Sequence, residues 1–338
     1  MTRLHYDRQI VNEEGHPVAH ERSDKDKQAS KSQSRAVSTG PKKKAPTKAG
    51  GRSTSTLLTW GAVGLVVVIV VVLVVVKLSG NSPSKDGGGS AYEPASASIL
   101  KQVTQIPTKV YDTVGITSGA TPVSAPVAIT GQPPLTFKDS NGNAKPGFLY
   151  YGAEYCPYCA AERWPVIAAL SRFGTYTGLG ITASSATDAY PNTPSFTFFK
   201  SSFASEHLVV QAVESYTNIP TPAGAYTTLM KPTKAQTALV TKYDTAKFLN
   251  SSQSGGIPFI DMGNQFLISG SSFSPSILAG LSRSEIAQGL DDPTNPVTQA
   301  IVATANYITA AICKTTGGQP GNVCTSKGVK AAADAMKI

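Results

Sequence analysis

The chain has 338 residues, 41% of them hydrophobic and 15% charged, which is enough for one or two folded domains. Its formal net charge of +9 is uneven, because residues 1–56 hold 12 Lys and Arg against 6 Asp and Glu. Lys77 adds one positive charge, and residues 79–338 carry 17 basic against 15 acidic residues, a net of +2. The nearly neutral charge of this longer part argues against a nucleic-acid-binding surface.

Residues 1–56 are polar, rich in Ser, Lys and Arg, and lack the apolar periodicity of a helix or strand. This composition predicts a disordered basic tail. Three of the four histidines are scattered along it, which favours solvated side chains over a metal site. We expect neither a metal nor a cofactor.

The stretch from Leu57 to Leu78 predicts a single transmembrane helix, since Val, Leu and Ile fill every position from 65 to 76. A helix needs about 20 predominantly apolar residues to cross the hydrocarbon. A cleaved signal peptide would begin nearer the N-terminus and end in small residues, which does not fit. Five basic residues precede the span, so the positive-inside rule places the tail in the cytoplasm and the C-terminal part outside.

Residues 79–96 are predicted to be a flexible linker between the membrane and an extracytoplasmic domain at 97–338. The first twelve linker residues are rich in Gly and Ser and would span roughly 20 Å as a coil. In the domain, apolar spacing predicts helical structure from Ala97 to Ile116, interrupted at Pro107. A strand, a turn and a second strand are predicted for 135–152.

A buried strand is predicted for the aromatic run Phe148–Tyr151. After a glycine, Cys156-Pro-Tyr-Cys159 opens a predicted helix that continues through Phe173, with the proline at the first helical position. A thiol at a helix N-terminus faces unpaired N–H groups and the positive end of the dipole, which favours the thiolate. We therefore expect Cys156 to be an exposed nucleophile and Cys159, one turn later, to resolve mixed disulfides.

Two other interpretations of this motif stay open. Half of a zinc site would need two further ligands, and the remaining cysteines, Cys313 and Cys324, have ten residues between them rather than two. A structural disulfide between Cys156 and Cys159 is the other alternative. The strand–helix context favours redox chemistry over both.

Four further residues have open roles. Glu162 would either accept a proton from Cys159 or lie on a solvated helix face. Glu154 and Tyr155 would either tune the nucleophile, contact substrate or be ordinary loop residues. His207 is the only histidine after the basic tail. It allows a Cys–His hydrolase with Cys156, although that chemistry has no need of a CxxC motif.

Beyond the CxxC helix, apolar patterns predict further elements. Strands are predicted at 179–183, 195–199, 207–213 and 265–269, and a helix at 233–250. The strands at 195–199 and 207–213 are interpreted as an added hairpin. Ser282-Arg-Ser-Glu285 is a capping box before a short helix, and Asn295-Pro296 begins a longer helix that ends at Gly317.

A second signature lies about a hundred residues after the cysteine motif, at Gly255-Gly-Ile-Pro-Phe-Ile-Asp261. It resembles the element of the thioredoxin fold in which a cis proline precedes a strand and packs beside the CxxC motif. Pro258 would be that proline; the alternative is an ordinary turn, because cis is the minor isomer unless the fold holds it. The two signals together predict an α/β, thioredoxin-like fold with an insertion between the CxxC helix and the cis-Pro strand.

Four separated blocks, in order, resemble one membrane-anchored, thioredoxin-like family catalogued as domain of unknown function 929. The blocks are Glu154–Trp164, Ser185–Phe198, Ile257–Asp261 and Ala305–Cys313, and the resemblance covers roughly residues 95–330. The family implies no activity. The broader thioredoxin-like group implies that Cys156 attacks, that Cys159 resolves and that Pro258 holds substrate backbone near the sulfurs.

Cys313 and Cys324 are expected to form a structural disulfide, because the compartment is oxidising and the four cysteines then pair completely. The loop that they close would contribute roughly 3 kcal/mol by the chain-entropy estimate. The alternative is a second redox pair that relays electrons to Cys156 and Cys159.

Two functional hypotheses follow. The first is a single-pass, extracytoplasmic thiol–disulfide oxidoreductase that acts on exported proteins and is recycled by a membrane redox partner. The second is a non-catalytic binding module of the cell envelope, in which Cys156 and Cys159 stay locked as a disulfide. The direction of the redox chemistry does not follow from the sequence.

Overall fold

The structure is a computed structural model, and it describes residues 92–117, 119 and 121–338. The predicted basic tail, the predicted transmembrane helix and most of the predicted linker lie outside the described residues. In the part that is described, no helix is long and apolar enough to cross a bilayer.

The described part of the chain is a mixed α/β structure. Its strands are β1 (Glu93–Pro94), β2 (Val127–Ala128), β3 (Thr136–Lys138), β4 (Ala144–Gly152), β5 (Gly174–Thr177), β6 (Gly180–Ala183), β7 (Pro194–Thr197), β8 (Ser202–Ser205), β9 (Val209–Glu214), β10 (Tyr216–Pro220), β11 (Tyr226–Thr228), β12 (Phe259–Met262) and β13 (Phe266–Ser269). Its helices are α1 (Ala97–Thr104), α2 (Thr108–Val114), α3 (Pro157–Leu170), α4 (Lys234–Tyr243), α5 (Arg283–Gly289), α6 (Pro296–Thr315), α7 (Gly321–Cys324) and α8 (Lys327–Met336), with a 3-10 turn at Pro275–Leu278.

The main sheet is built around β4. On one side β4 pairs with β12 in the antiparallel sense, and β12 continues through β13 to the edge strand β2. On the other side β4 pairs with β3 near its start and then runs parallel to β9. The pair β3–β4 is the strand–turn–strand unit predicted for 135–152, and that prediction is confirmed.

The apolar run in β4 is buried on both faces of the sheet. Phe148 and Tyr150 point into the larger hydrophobic cluster, which contains α3 and α6, whereas Leu149 points into a smaller cluster. The smaller cluster includes Phe259 of β12 and Tyr243 of α4. Continuous apolar sequence is what a strand covered on both sides requires.

Helices α3 and α6 pack against each other over the larger cluster. Asn295 caps α6 through its side-chain oxygen, which accepts hydrogen bonds from the amides of Val297 and Thr298, and Pro296 occupies the first turn. The predicted capping box before α5 is also present, because Ser282 and Glu285 exchange hydrogen bonds. These helix starts confirm the corresponding predictions.

The predicted hairpin of 195–199 with 207–213 is wrong. Strand β7 pairs with β6, whereas β9 runs parallel to β4 in the main sheet, with Gly147 opposite Val209 and Gly152 opposite Glu214. Apolar alternation predicts that a segment is a strand but does not specify its partner.

Several boundaries also differ from the predictions. Helix α4 ends at Tyr243 rather than at residue 250, because Asp244 leaves the helical conformation and turns follow. The CxxC helix ends at Leu170, before Phe173. At the other end of the domain, Glu93–Pro94 pairs with β6 and Ala95 is buried, so the described residues of the predicted linker are part of the folded structure.

Candidate functional site

Three strand ends converge at the edge of the sheet that carries the cysteine motif. Strands β4 and β9 are parallel and both end there, at Gly152 and Glu214. Strand β12 runs in the opposite direction and begins there, with Phe259 opposite Tyr151. This topology brings the segment before β12, including Pro258, next to the segment that leads from β4 into α3.

Cys156 is the N-cap residue of α3. Its backbone is extended (φ −76°, ψ 121°), and its sulfur accepts a hydrogen bond from the amide of Cys159 at 3.2 Å. The sulfur thus takes the place of the side-chain oxygen that usually caps a helix, and Pro157 fits the first turn. The predicted start of this helix is confirmed.

The second contact of the Cys156 thiol is with the chain before β12. The thiol donates to the carbonyl oxygen of Ile257 at 3.5 Å, and the Ile257–Pro258 peptide bond is cis, as the sequence predicted. The structure therefore brings Cys156, Cys159 and the Ile257–Pro258 bond together, although they are about a hundred residues apart in the sequence.

Cys156 is less accessible than the sequence suggested. The residue is 4% exposed, and Cys159 is fully buried behind it. The expectation of an exposed nucleophile is therefore wrong, because Cys156 is buried and its thiol contacts the Ile257 carbonyl. The order of the two residues, with Cys156 nearer the surface, agrees with the expectation.

The two thiols differ in their acidity. The hydrogen bond between the thiols lowers the pKa of Cys156, and the Cys159 amide and the Arg163 charge act in the same direction, against burial. Burial raises the pKa of Cys159 well above its usual value, and its bond to Cys156 adds to this increase. The first cysteine therefore carries negative charge more readily than the second.

A buried ion pair lies beside the motif and was missed by the sequence interpretation. Arg163 Nε and Nη2 donate to Glu214 Oε1 and Oε2 at 2.8 and 2.6 Å, and both side chains are fully buried. Arg163 Nη2 also donates to the carbonyl oxygen of Ala153 at 2.8 Å. The signal in the sequence was a pair of adjacent charged residues, Glu162 and Arg163, in an otherwise largely apolar α3, and a glutamate at the end of the mainly apolar strand β9.

Tyr150 completes the buried surroundings of the ion pair. The Arg163 guanidinium lies 5.8 Å from the centre of the Tyr150 ring. A Cβ at position 152 would lie 2.5 Å from the Tyr150 hydroxyl, so Gly152 leaves the space that the hydroxyl occupies. This explains why β4 ends in glycine at this position.

Glu162 is fully buried, so its interpretation as part of a solvated helix face is wrong. Its carboxylate accepts hydrogen bonds from the amide and hydroxyl of Ser272 at 2.7 and 3.0 Å, which ties α3 to the loop after β13. Burial raises the pKa of Glu162 to about 7, and the Ser272 hydrogen bonds oppose that increase. Both carboxylate oxygens serve this link, so proton exchange with Cys159 has no support in its contacts.

Glu154, which precedes the motif, is also buried rather than an ordinary loop residue. Burial raises its pKa, and a hydrogen bond with the Thr197 side chain opposes the rise. Its backbone amide donates to the carbonyl oxygen of Tyr216 at 2.9 Å, so the loop before Cys156 is held against the start of β10.

Tyrosines surround the entrance to Cys156. Tyr155 stacks on Tyr226 of β11 with ring centres 4.2 Å apart, and Tyr158 meets Tyr190 edge-on at 6.0 Å. Tyr158 and Tyr216 are among the most exposed large apolar side chains of the described residues, at 42% and 41%. We call this set the tyrosine surface: Tyr155, Tyr158, Tyr190, Tyr216 and Tyr226.

His207 lies at the opposite edge of the sheet from Cys156. It precedes β9, whereas Cys156 follows β4, and the two strands are parallel. The paired segment from Gly147–Val209 to Gly152–Glu214 spans five residue steps, roughly 17 Å at the usual rise of a strand. This separation rules out a Cys156–His207 catalytic pair.

Cys313 and Cys324 form a disulfide that joins the C-terminal end of α6 to α7, as the sequence predicted. Thr315, at the end of α6, packs against Gly263, which follows β12. Because β12 begins near Cys156 and ends near Gly263, this disulfide lies toward the far edge of the sheet. Within the described residues, no group of three or more His, Cys, Asp or Glu side chains is placed to hold a metal ion.

Comparison with known protein families gives one match. Residues 137–314 match the family described as Domain of unknown function (DUF929), which is more than half of the chain. The chain belongs to this family. The DUF929 region begins in β3 and ends within α6, so it contains both motif cysteines, Pro258 and the buried ion pair, while Cys324 lies beyond it.

The membership of this family inferred from four sequence blocks is thereby confirmed over residues 137–314, and the family description assigns no activity. No curated protein and no solved structure matches the chain. The function of this DUF929 member therefore has to be argued from the geometry around Cys156.

Proposed function

We propose that the folded part of this chain is a thioredoxin-like thiol–disulfide oxidoreductase domain that acts on cysteines of exported proteins. The observation that carries the proposal is the surroundings of the Cys156 sulfur. That sulfur caps a helix and accepts a hydrogen bond from the Cys159 amide. It also contacts the carbonyl oxygen of Ile257, which precedes a cis peptide bond to Pro258. A helix N-terminus favours the thiolate, which is the species that attacks disulfides.

The two cysteines have the properties that an attacking and a resolving thiol need. The pKa of Cys156 is lowered by its hydrogen bond with Cys159, so its thiolate forms more readily. Burial raises the pKa of Cys159, which stays protonated until a mixed disulfide has formed at Cys156. A locked structural disulfide would have no need of this difference.

In the reducing direction, the Cys156 thiolate attacks one sulfur of a substrate disulfide. A mixed disulfide forms, the substrate S–S bond breaks, and the other substrate sulfur leaves as a thiolate that takes up a proton. Cys159 then loses its proton and attacks the Cys156 sulfur, which releases the second substrate thiol. Two electrons pass to the substrate, the cysteine pair ends oxidised, and a membrane redox partner would return the electrons; the reverse sequence oxidises a substrate dithiol.

The tyrosine surface supports a polypeptide substrate. Tyr158, inside the motif, and Tyr216, whose ring centre is 6.3 Å from that of Tyr155, expose large amphipathic rings, and such rings bind peptide chains by contact area and by hydroxyl hydrogen bonds. Pro258 would hold the substrate backbone near the sulfurs. Because Cys156 is 4% exposed, a substrate cysteine would have to enter between these rings to reach it.

We further propose that the domain is tethered outside the cytoplasm by the apolar stretch Leu57–Leu78. The basic residues before this stretch and the Cys313–Cys324 disulfide support the orientation, since disulfides persist in oxidising compartments. In intact cells, a C-terminal tag should be cleaved by added protease while a tag at Met1 is protected. A protected C-terminal tag would contradict the orientation.

A second candidate function is a tethered binding module without redox activity. The near-complete burial of Cys156 favours it, because a buried pair could remain a closed disulfide while the tyrosine surface binds a partner. The two functions differ in whether the pair exchanges with small thiols.

Titration of the purified full chain against glutathione buffers of graded composition separates these functions. Mass spectrometry of trapped peptides should show the Cys156–Cys159 pair changing from oxidised to reduced across the series, while Cys313–Cys324 stays oxidised. A Cys156→Ser/Cys159→Ser variant controls for exchange at other positions. If the motif pair stays oxidised in every buffer, the oxidoreductase proposal fails and the binding module remains.

A further inference from the structure

The Arg163–Glu214 ion pair is too deeply buried and too close to the cysteines to be a surface feature. Its two parallel hydrogen bonds, at 2.8 and 2.6 Å, join α3 to the end of β9, and both side chains are fully buried. Isolated charges are excluded from protein interiors, and a buried pair is often no more stabilising than apolar side chains of similar volume. The position of this pair therefore calls for a role besides stability.

The pair contacts the backbone that leads into the motif. Arg163 is four residues after Cys159 on α3, so the two side chains lie on the same face of the helix. Arg163 Nη2 donates to the Ala153 carbonyl at 2.8 Å, and the Cys156 amide lies 3.4 Å from that same oxygen. Glu214 is directly opposite Gly152 in the parallel register. The guanidinium is thus held under the chain segment that positions the Cys156 sulfur.

Part of the guanidinium faces no acceptor. Arg163 Nη1 and the Tyr150 hydroxyl are both buried without a hydrogen-bond partner among the described residues. Glu214 Oε1 also accepts from the Phe198 amide at 3.3 Å, so this oxygen is shared between two donors. Within the described part of the chain, the ion pair therefore leaves one guanidinium nitrogen without a partner and divides one carboxylate oxygen between Arg163 and the backbone.

Among the residues that the structure describes, the other ionisable groups around the cysteines are tyrosines and acidic residues. Tyr150 lies on β4, Tyr155 precedes α3, Tyr158 lies on it, and Glu154 lies close to Arg163 and Glu214. Asp188, in the loop between β6 and β7, acts on Tyr155 and Tyr158. The Arg163 charge acts on both thiols and favours their ionised forms.

We propose that Arg163 and Glu214 are positioning residues that set the thiolate content of the cysteine pair. The Arg163 guanidinium attracts negative charge on the sulfurs, and the Glu214 carboxylate holds the guanidinium in place while offsetting part of its charge. The inference rests on the proposed redox function for its purpose, because thiolate content decides how fast and in which direction the pair exchanges.

Opposite effects of the two partners follow from this proposal. Arg163→Met removes the positive charge, so the pKa of Cys156 should rise. Glu214→Gln keeps an oxygen that can accept from Arg163 but removes the negative charge, so the pKa of Cys156 should fall. Each change should alter the thiolate fraction below the pKa on the order of tenfold. Because stabilising the reduced form makes a dithiol more oxidising, the reduction potential should fall in Arg163→Met and rise in Glu214→Gln.

The test is the pH profile of Cys156 alkylation by iodoacetamide in the reduced full chain, followed by mass spectrometry of the Cys156 peptide. In Arg163→Lys the pKa of Cys156 should stay close to the wild-type value, because the positive charge is kept. Lysine cannot form the paired hydrogen bonds with Glu214, so this variant separates the effect of charge from that of hydrogen bonding. Arg172→Met is the matched control. Arg172 is partly buried and stacks on Tyr111, but it lies beyond the far end of α3, roughly 15–20 Å along the helix from Cys159.

The direction in which each variant shifts the pKa of Cys156 tests the proposal. The proposal is overturned if Glu214→Gln leaves the pKa of Cys156 unchanged or raises it, since a merely structural pair would move both variants in the same direction or in neither. If Arg163→Met does not fold, Glu214→Gln and Arg163→Lys decide alone. Alkylation requires no exchange partner, so opposite shifts in a protein that fails to exchange with glutathione would uphold this inference while removing the redox function.

Discussion

The two cysteine pairs lie at opposite ends of their helices and in opposite electrostatic settings. Cys156 caps the N-terminus of α3, where backbone amides face the sulfur, whereas Cys313 lies near the C-terminus of α6, where backbone carbonyls collect. The first pair is placed beside a cis proline bond, a buried arginine and exposed tyrosines; the second closes a short loop toward the far edge of the sheet. The two cysteine pairs therefore differ in their chemical surroundings, because they lie at different helix ends and beside different groups.

The largest expected effect concerns the stability of the region around Cys156. Arg163→Met leaves Glu214 as an unpaired buried charge, which should lower the free energy of unfolding by about 3–5 kcal/mol. Chemical denaturation of the oxidised chain measures this loss. The double change Arg163→Met/Glu214→Met should be less destabilising than the single change, because it leaves no unpaired charge. A double variant less stable than Arg163→Met would show that the pair itself stabilises the fold.

The second prediction concerns the other cysteine pair. Cys313→Ser/Cys324→Ser should lower the free energy of unfolding by about 3 kcal/mol, because the closed loop no longer restricts the unfolded chain. The same variant should exchange thiols at Cys156 at the wild-type rate. Thermal melting and glutathione exchange kinetics measure the two effects. Loss of exchange in a folded variant would mean that the second pair relays electrons to the first.

Glu162, on the helix that carries the cysteine motif, should make the free energy of unfolding depend on pH. Burial raises its pKa in the folded protein to about 7, above the ordinary value of a free glutamate, so the folded state binds the proton more tightly than the unfolded state. The free energy of unfolding should therefore fall as the pH rises from about 4.5 to 7, by on the order of 1–3 kcal/mol for this group.

Glu162→Gln should remove that part of the pH dependence, because glutamine keeps an acceptor for Ser272 without a titrating group. Denaturation midpoints at a series of pH values measure it. Glu206→Gln, an exposed change at the opposite edge of the sheet, is the control and should leave the slope intact. If the free energy of unfolding depends on pH equally in Glu162→Gln and in the wild type, another group causes the dependence. Asp261 is the candidate, because burial raises its pKa to about 7 as well.

The smallest effect is expected at the tyrosine surface. Tyr158→Ser and Tyr216→Ser each remove an exposed ring near Cys156, so exchange with an unfolded polypeptide that contains a disulfide should slow about three- to tenfold, for a contact worth roughly 1 kcal/mol. Exchange with glutathione, which is too small to contact both rings, should change less. Stopped-flow kinetics with the two substrates give the ratio. Equal slowing with both substrates would mean that the tyrosines act on the cysteines rather than on the substrate.

Much of the main sheet was predictable, because local patterns specify it. The apolar run before Cys156, the proline after it and the Ile257–Pro258 dipeptide are short signals with direct structural causes. The pairing of β9 with β4 was not predictable from periodicity, because alternating apolar residues identify a strand but not the strand with which it pairs.

The contents of the site were harder to predict than its location. The burial of Glu162 and the pairing of Arg163 with Glu214 depend on loops and strands that are far apart in sequence, 51 residues for the ion pair and 110 for Glu162 and Ser272. A charged residue on a helix is usually solvated, and no local pattern distinguishes the exceptions. The low exposure of Cys156, whose thiol contacts the Ile257 carbonyl, depends on distant residues in the same way.

In the proposed mechanism, Cys156 attacks substrate disulfides and Cys159 releases them. In Cys159→Ser the attacking thiol remains but its release is blocked, so covalent complexes with exported proteins or a membrane redox enzyme should accumulate in cells and disappear on reduction. Non-reducing electrophoresis followed by mass spectrometry of the trapped partners, with Cys156→Ser as the matched control, measures this directly. We expect abundant complexes in Cys159→Ser and few in Cys156→Ser; complexes in neither variant, or only in Cys156→Ser, would contradict the claim.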